Sequence, residues 1–376
     1  MEKNRTIVTF ILTCLCSFEA AAQIVTPIKI TFMEALAPKD TTSSERFQKE
    51  YEYAIQTAKD LTKTKLEKCG YVISDEKSFY DASDTLQALE KAKTAQNNGA
   101  WLIVGPRRSN HYLLAVKGAD ATPTVSIMAS AKAVYDLNPL HLTLAQSNQN
   151  MASTLARETK LKLKSKKVIT YVSIVSEDCV TCLDFAKSFY RAADKLRFKK
   201  IEEIKITGEQ PDISNVEILV KKMKPDVVLI PNYSKVSSYL IGKINSWNPN
   251  TFFVGGDGWG DNKYGFVHHS PQLEGASGIT VKGFPPTDKG LAYFLLGNEI
   301  LKNPSVAAAF PASGSAQALL KVIEGTVDIV CKNKPKDKAE FAKIFQQQGR
   351  KHFVNPWGVS VFKLSNGEVV FDKTVR

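Results

Sequence analysis

Along the chain, short runs of consecutive apolar residues alternate with longer stretches in which apolar residues recur every three or four positions. The runs read as strands buried on both faces and the periodic stretches as amphipathic helices, a pattern that predicts parallel sheets covered by helices on each side. A first series begins with a strand from Ile24 to Phe32 and a polar loop from Met33 to Ser44. A helix follows, with Thr42 and Glu45 at capping-box spacing and Phe47, Tyr51, Ala54, Ala58 and Leu61 on one face. Next come a helix behind Asp84, a strand over 101–105, a helix over 111–118 and a strand over 124–128.

After a link around 142–149, a second series opens with strands over 168–175, 201–206, 226–231 and 252–255, separated by helices near 183–196, 214–223 and 236–244. The remainder predicts a strand over 278–282, helices near 292–302 and 316–327, and a hairpin over 358–370 turning at Asn366-Gly367. Two such series predict an α/β protein with two doubly wound parallel-sheet lobes. With no repeat or low-complexity linker between them, the lobes are expected to be joined by several chain crossings.

At 376 residues, with 43% hydrophobic and 23% charged content, the chain is long enough for two cores. A formal charge of +12 invites a nucleic-acid reading, but the basic residues are dispersed. The densest run, KLKLKSKK at 160–167, reads as the solvated end of a helix. Nucleic acid is therefore not an expected partner, whereas an anionic ligand is compatible.

The N-terminus carries Lys3 and Arg5, an apolar stretch over 7–18 and the small residues Ala20-Ala21-Ala22. These are the parts of a secretory signal peptide over 1–22, and no later stretch approaches the roughly 20 apolar residues of a spanning helix. The expectation is an exported, periplasmic protein without stable membrane insertion. Lipid anchoring at Cys14 or Cys16 is disfavoured because the preceding residues make no convincing lipobox.

Removing that segment leaves Cys69, Cys179, Cys182 and Cys331, an even number in a disulfide-permitting compartment. The Cys179-x-x-Cys182 spacing fits an inert short-loop disulfide or, less favoured, thiol–disulfide exchange. Cys69 and Cys331 are candidates for a second bridge, which sequence leaves open. The adjacent His268-His269 lacks further ligands, no carboxylate pair or nucleophile triad is evident, and neither metal, cofactor nor catalysis is expected.

The stretch FFVGGDGWGDNKYG at 252–265 has glycines after a strand but not the G-x-G-x-x-G spacing of a dinucleotide site, and Asp257 would repel a phosphate. Together with WLIVGPRRSN at 101–110, TPTVSIMASAKAVYD at 122–136 and DVVLIPNYSKVSSYLIGKI at 226–244, it resembles the type I periplasmic solute-binding proteins. That class includes the branched-chain amino-acid and amide receptors of ABC transporters. Each motif is degenerate; the likeness lies in their order and spacing over nearly the whole chain.

The resemblance implies discontinuous lobes, near 24–144 with 282–356 and near 145–281 with 357–376. It implies capture of an amino acid, amide or related small polar solute by hinge closure, and delivery to an ABC permease. An envelope sensor or adaptor on the same scaffold is the alternative. By resemblance, Ser109, Asn110, Ser126, Ala129 and Ser130 lie at first-lobe strand ends that hold a polar head, while Tyr233, Asp257 and Trp259 reach the ligand from the second lobe. Ser109 can instead cap a helix, Tyr233 can be a surface tyrosine and Asp257 a solvated turn residue.

Arg107 and Arg108 stand where the family has small residues, which argues against a plain branched-chain amino acid. An arginine there can grip an acidic group through two parallel hydrogen bonds or point to solvent. The loop over 33–44 lacks the family's glycine-rich pattern, and Asp178 precedes Cys-Val-Thr-Cys where the family has other residues.

Overall fold

The computed structural model describes residues 25–36, 42–208, 210–259, 273–283, 312–365 and 367–376. The first sheet contains β1 (Thr26–Leu36), β2 (Tyr71–Asp81), β3 (Leu102–Val104), β4 (Thr124–Ser126) and β5 (His141–Thr143), all parallel, in the order β2-β1-β3-β4-β5. Helices α1 (Thr42–Lys68), α2 (Leu86–Asn97), α3 (Ser109–Gly118) and the short α4 (Lys132–Tyr135) connect these strands.

The second sheet contains β6 (Thr170–Ser176), β7 (Lys199–Ile206), β8 (Val227–Ile230), β9 (Phe252–Gly255), β10 (Ser277–Lys282), β11 (Val359–Ser365) and β12 (Glu368–Val375). Their order is β12-β11-β10-β9-β8-β6-β7, parallel from β10 to β7, with the β11–β12 hairpin antiparallel. Helices α5 (Asn148–Lys162), α6 (Val180–Lys195), α7 (Ser214–Met223) and α8 (Ser234–Trp247) cover its faces.

Strands such as Val227-Val228-Leu229-Ile230 are buried at every position, as a sheet with helices on both sides requires. Phe32, Leu102 and Val104 pack with Tyr51 and Ile55 of α1. The same core takes residues from much later in the chain: Leu319 and Ile323 of α9 (Ala312–Asn333), and Phe341 and Phe345 of α10 (Lys338–His352). The opposite face of the first sheet packs against alanines of α2 and α3, among them Ala88, Ala92 and Ala115. The second sheet has α5 and α6 on one side, through Leu155, Phe185 and Phe189, and α7 and α8 on the other, through Val220 and Leu240.

The chain therefore passes between the sheets repeatedly, and Asn355 ties the crossings together. Its side-chain amide donates to the Leu144 carbonyl at 2.7 Å and to the Gly283 carbonyl at 2.6 Å. The Gln146 N–H also donates to Gly283, at 3.1 Å.

Two expectations are corrected. Residues 33–36 are not part of a polar loop: β1 continues to Leu36, because Met33, Glu34 and Ala35 are all buried and Leu36 still pairs with Asp81. The strand β2, unforeseen in the sequence, supplies that pairing. The link around 142–149 contains the end of β5 and the start of α5. The expected signal peptide, the helix near 292–302 and His268-His269 lie outside the described residues.

Two disulfides form, Cys69–Cys331 between the end of α1 and α9, and Cys179–Cys182 at the start of α6. Cys179 and Cys182 are buried, which disfavours attack by an exchange partner. Among the described residues, no helix is long and apolar enough to cross a membrane, and no cluster of His, Cys, Asp or Glu could hold a metal ion.

Candidate functional site

In a parallel sheet the ligand-binding position is set by topology, because loops at the carboxyl ends diverge where successive connections leave in opposite directions. In the first sheet that point lies between β1, which connects outward to β2, and β3. Glu34 lies at the end of β1 and Arg107 just past β3. In the second sheet it lies between β6 and β8, where Asn232 closes the gap: its amide oxygen accepts from the Ser176 N–H at 2.8 Å and its NH2 donates to the Ile174 carbonyl at 3.0 Å. Tyr233 is the next residue.

The approach of β1 to the β3 end requires Gly105, which has φ +93° and whose added Cβ would lie 2.1 Å from the Met33 carbonyl oxygen. Beyond it, the Arg107 Nε–H donates to Glu34 Oε2 at 2.8 Å, and the other Glu34 oxygen accepts from the Ala35 N–H at 3.0 Å. Glu34 is 0% exposed. Burial raises its pKa above the ordinary carboxylate value, against the opposing pull of Arg107 and the Ala35 amide. Beside it, the Tyr80 hydroxyl meets His111 Nδ1 at 3.2 Å. Desolvation, aided by the nearby Arg108 charge, lowers the His111 pKa to about 4, so this imidazole is neutral at pH 7.

The serines predicted for the site do two kinds of work. Ser126 Oγ donates to the Pro106 carbonyl at 2.8 Å and accepts from the Ala129 N–H at 3.1 Å, and Ser109 Oγ accepts from the Ser130 and Ala131 N–H groups at 3.1 and 3.2 Å. These bonds stitch the β3 and β4 ends together. Ala129 is buried, and Asn110 is half-buried in the first turn of α3. Ser130 faces the other sheet: its Oγ donates to Asp257 Oδ2 at 3.1 Å.

Asp257 keeps some accessible surface, but Ser130, Lys282 and Tyr135 are all close to it, so its carboxylate is poorly solvated. That desolvation raises its pKa, with the Ser130 hydrogen bond and the charge of Lys282 acting the other way. Tyr233 is 47% exposed, and the Arg108 guanidinium lies 5.9 Å from its ring centroid. Arg107, Asp257 and Asp178 also lie close enough to Tyr233 to act on its hydroxyl.

Ser130, Asp257, Tyr233 and both arginines thus come together where the strand ends of the two sheets meet. Trp259 does not open there: the side chain is 1% exposed and its indole N–H donates to the Ile230 carbonyl at 2.8 Å. Its ring fills the space over Gly255, whose added Cβ would lie 2.1 Å from ring atom Cε2. Trp259 is a core residue, not a lid.

Glu34, Asp184 and Asn148 carry no sequence motif that marks them. Asp184 Oδ2 accepts from the Lys132 N–H at 2.9 Å and from the Asn148 side chain at 2.8 Å, linking α6 to the loop beyond β4. Separately, a cavity of about 390 Å³ lies against the crossings, lined by Tyr135, Thr143, Gln146, Asn150, Arg350 and Asn355 among others. None of the predicted ligand residues lines it.

Two doubly wound sheets with several crossings and facing strand ends are the type I periplasmic-binding-protein fold. The branched-chain amino-acid transporter substrate-binding protein LivJ of Streptococcus pneumoniae, solved with isoleucine, matches with a TM-score of 0.69 and 16% identity, over 93% of this chain and 100% of its own. The leucine-binding protein LivK of Thermotoga maritima matches at 0.68 and 16% identity, over 92% and 98%. A solute-binding protein of an R. palustris ABC transporter, in complex with benzoate, matches at 0.65 and 16% identity, over 92% and 95%. No sequence-family model matches the chain, and no curated protein is significantly similar in sequence.

Proposed function

We propose that this protein is an exported solute-binding protein that captures a small polar solute between its two lobes and presents it to an ABC permease. The observation that carries the reading is the contact between facing strand ends, with Ser130 and Arg108 on one side meeting Asp257 and Tyr233 on the other. A solute entering there touches both lobes at once, so binding favours the closed arrangement in which both sets of contacts are made. The work is recognition and hinge motion, with no covalent step. The solute-binding proteins of like fold support this reading, and the isoleucine and benzoate of their complexes give solutes to try first.

A thermal-shift screen with amino acids, amides, ureas, carboxylates and nucleosides tests it, since a ligand that binds only the folded protein raises Tm. The expected result is a hit whose affinity falls in Ser130→Ala and Asp257→Ala. A hit indifferent to both substitutions would remove the crevice from the reading.

One observation favours the alternative of an envelope sensor or adaptor. The Ser130 and Ala131 amides are taken by Ser109, and the Ser130 hydroxyl by Asp257, so polar groups that could greet a solute are satisfied within the protein. A screen with no hit, combined with recovery of a membrane partner other than a permease, would decide for that reading.

A further inference from the structure

We infer that the solute carries a carboxylate group and that Arg108, rather than Arg107, recognises it. This rests on the crevice being the solute site, and it follows from how differently two adjacent arginines are held.

Arg107 is committed to the protein. Its Nε–H bonds Glu34, which is 0% exposed, and a buried carboxylate needs a counter-charge in place. The pair cancels locally, leaving Arg107 as the structural anchor of the β3 end. Arg108 follows with φ −74° and ψ 132°, an extended conformation that sends successive side chains to opposite sides. It is exposed, and it forms no ion pair among the described residues. Its contact with the second lobe is the face of Tyr233, at 5.9 Å.

A guanidinium laid near an aromatic ring is held by the ring's negative face while its N–H groups still point outward in its own plane. Those donors form the fork that matches the two oxygens of a carboxylate. The cation stands at the switch point of the first sheet and the ring at the switch point of the second. Lobe closure therefore assembles this half-site, and an acid bound to Arg108 is covered by Tyr233 as the lobes meet.

The other end of the crevice does not demand an amine. Asp257 already accepts the Ser130 hydroxyl and lies near the buried Lys282, so it presents less negative charge to a cationic group than a bare carboxylate would. The class selected is thus a small organic acid, with or without an amino group, and neither an amine nor an amide.

The test is calorimetric titration of the whole protein with benzoate, isovalerate and leucine, alongside benzamide, isovaleramide and isoamylamine, followed by the same titrations on Arg108→Gln, Arg108→Lys and Tyr233→Leu. At least one acid is expected to bind while its matched amide and amine do not. Arg108→Gln is expected to weaken that acid roughly tenfold to hundredfold, the range for losing a charge-assisted hydrogen-bonded contact. Arg108→Lys, which keeps the charge but not the fork, should recover only part of the loss. Arg108 is exposed, so its variants should keep the parent's unfolding midpoint.

Amides binding as tightly as acids, or acid affinity within twofold of the parent in Arg108→Gln, would overturn the inference. Binding that ignores Arg108 yet falls in Ser130→Ala and Asp257→Ala would refute it and leave the crevice standing. If no solute in the panel binds, or binding is indifferent to all four positions, both readings fall.

Discussion

Removing the Arg107 side chain would leave Glu34 buried without its counter-charge, a situation that costs about 3–5 kcal/mol in other proteins. The folded-state pKa of Glu34 is already raised by burial, and loss of Arg107 raises it further. A carboxyl with a raised folded pKa binds its proton more tightly in the native state, so its contribution to stability falls as pH climbs from the unfolded value towards the folded one. Arg107→Met should therefore be more destabilised at pH 8 than at pH 5 by urea unfolding, and adding Glu34→Gln should remove most of that pH dependence. A pH-independent loss would show that Glu34 is not the group left stranded.

Trp259 supplies a second residue-scale check. Trp259→Phe removes the donor to the Ile230 carbonyl and should cost about 1–3 kcal/mol in the same assay, with solute affinity changed less than in Asp257→Ala. Sequence could not separate the roles of Trp259 and Asp257, because a tryptophan two residues past a cleft aspartate looks equally suited to stacking or to packing. The bare face of Gly255, which the indole fills, decides between them.

At the scale of elements, the two disulfides should differ in strength because they close loops of very different length. The residues joined by Cys69–Cys331 are 262 apart in sequence, and those of Cys179–Cys182 are 3 apart. Restriction of the unfolded chain is worth about 5.5 kcal/mol for the first and about 2 kcal/mol for the second. Chemical denaturation of Cys69→Ser/Cys331→Ser should therefore show the larger drop, and equal drops would contradict loop entropy as the main cause.

The elements themselves were legible where burial is continuous. The strand over 252–255 and the four-residue core of the strand expected over 226–231 are read directly from unbroken apolar runs, and the C-terminal hairpin from its Asn-Gly turn. The strand β2 was not legible: it is an edge strand reading YVISDEKSFYD, with charged and polar residues at half-exposed positions and no clean alternation. Missing β2 concealed the continuation of β1 past Phe32, and with it Glu34, since a carboxylate in an apparent polar loop gives no sign that it is buried. The second sheet's contribution was clearer, because Tyr233 and Asp257 each follow a fully apolar strand.

For the whole molecule, the topology that brings the two switch points together also makes the chain crossings between the sheets. The residues after the two switch points meet across the sheets, while the chain returns late to the first sheet through α9 and α10 and then to the second through β11 and β12. Every return adds a crossing, and Asn355 holds the Leu144 and Gly283 crossings to its own with hydrogen bonds of 2.7 and 2.6 Å. Asn355→Ala would leave both carbonyls without that donor and should cost about 1–3 kcal/mol, seen as a lower Tm. Its more specific effect should be on lobe motion. Spin labels at Leu86 on α2 and Ile218 on α7, both about two-thirds exposed, report the separation of the two sheets' outer helices. The label-to-label distance distribution should broaden in Asn355→Ala and narrow again on adding a solute that binds the crevice, because solute contacts to both lobes replace the restraint lost at the crossings. A distribution as narrow as the parent's would mean that the packed helices, and not the Asn355 tie, set how far the lobes can part.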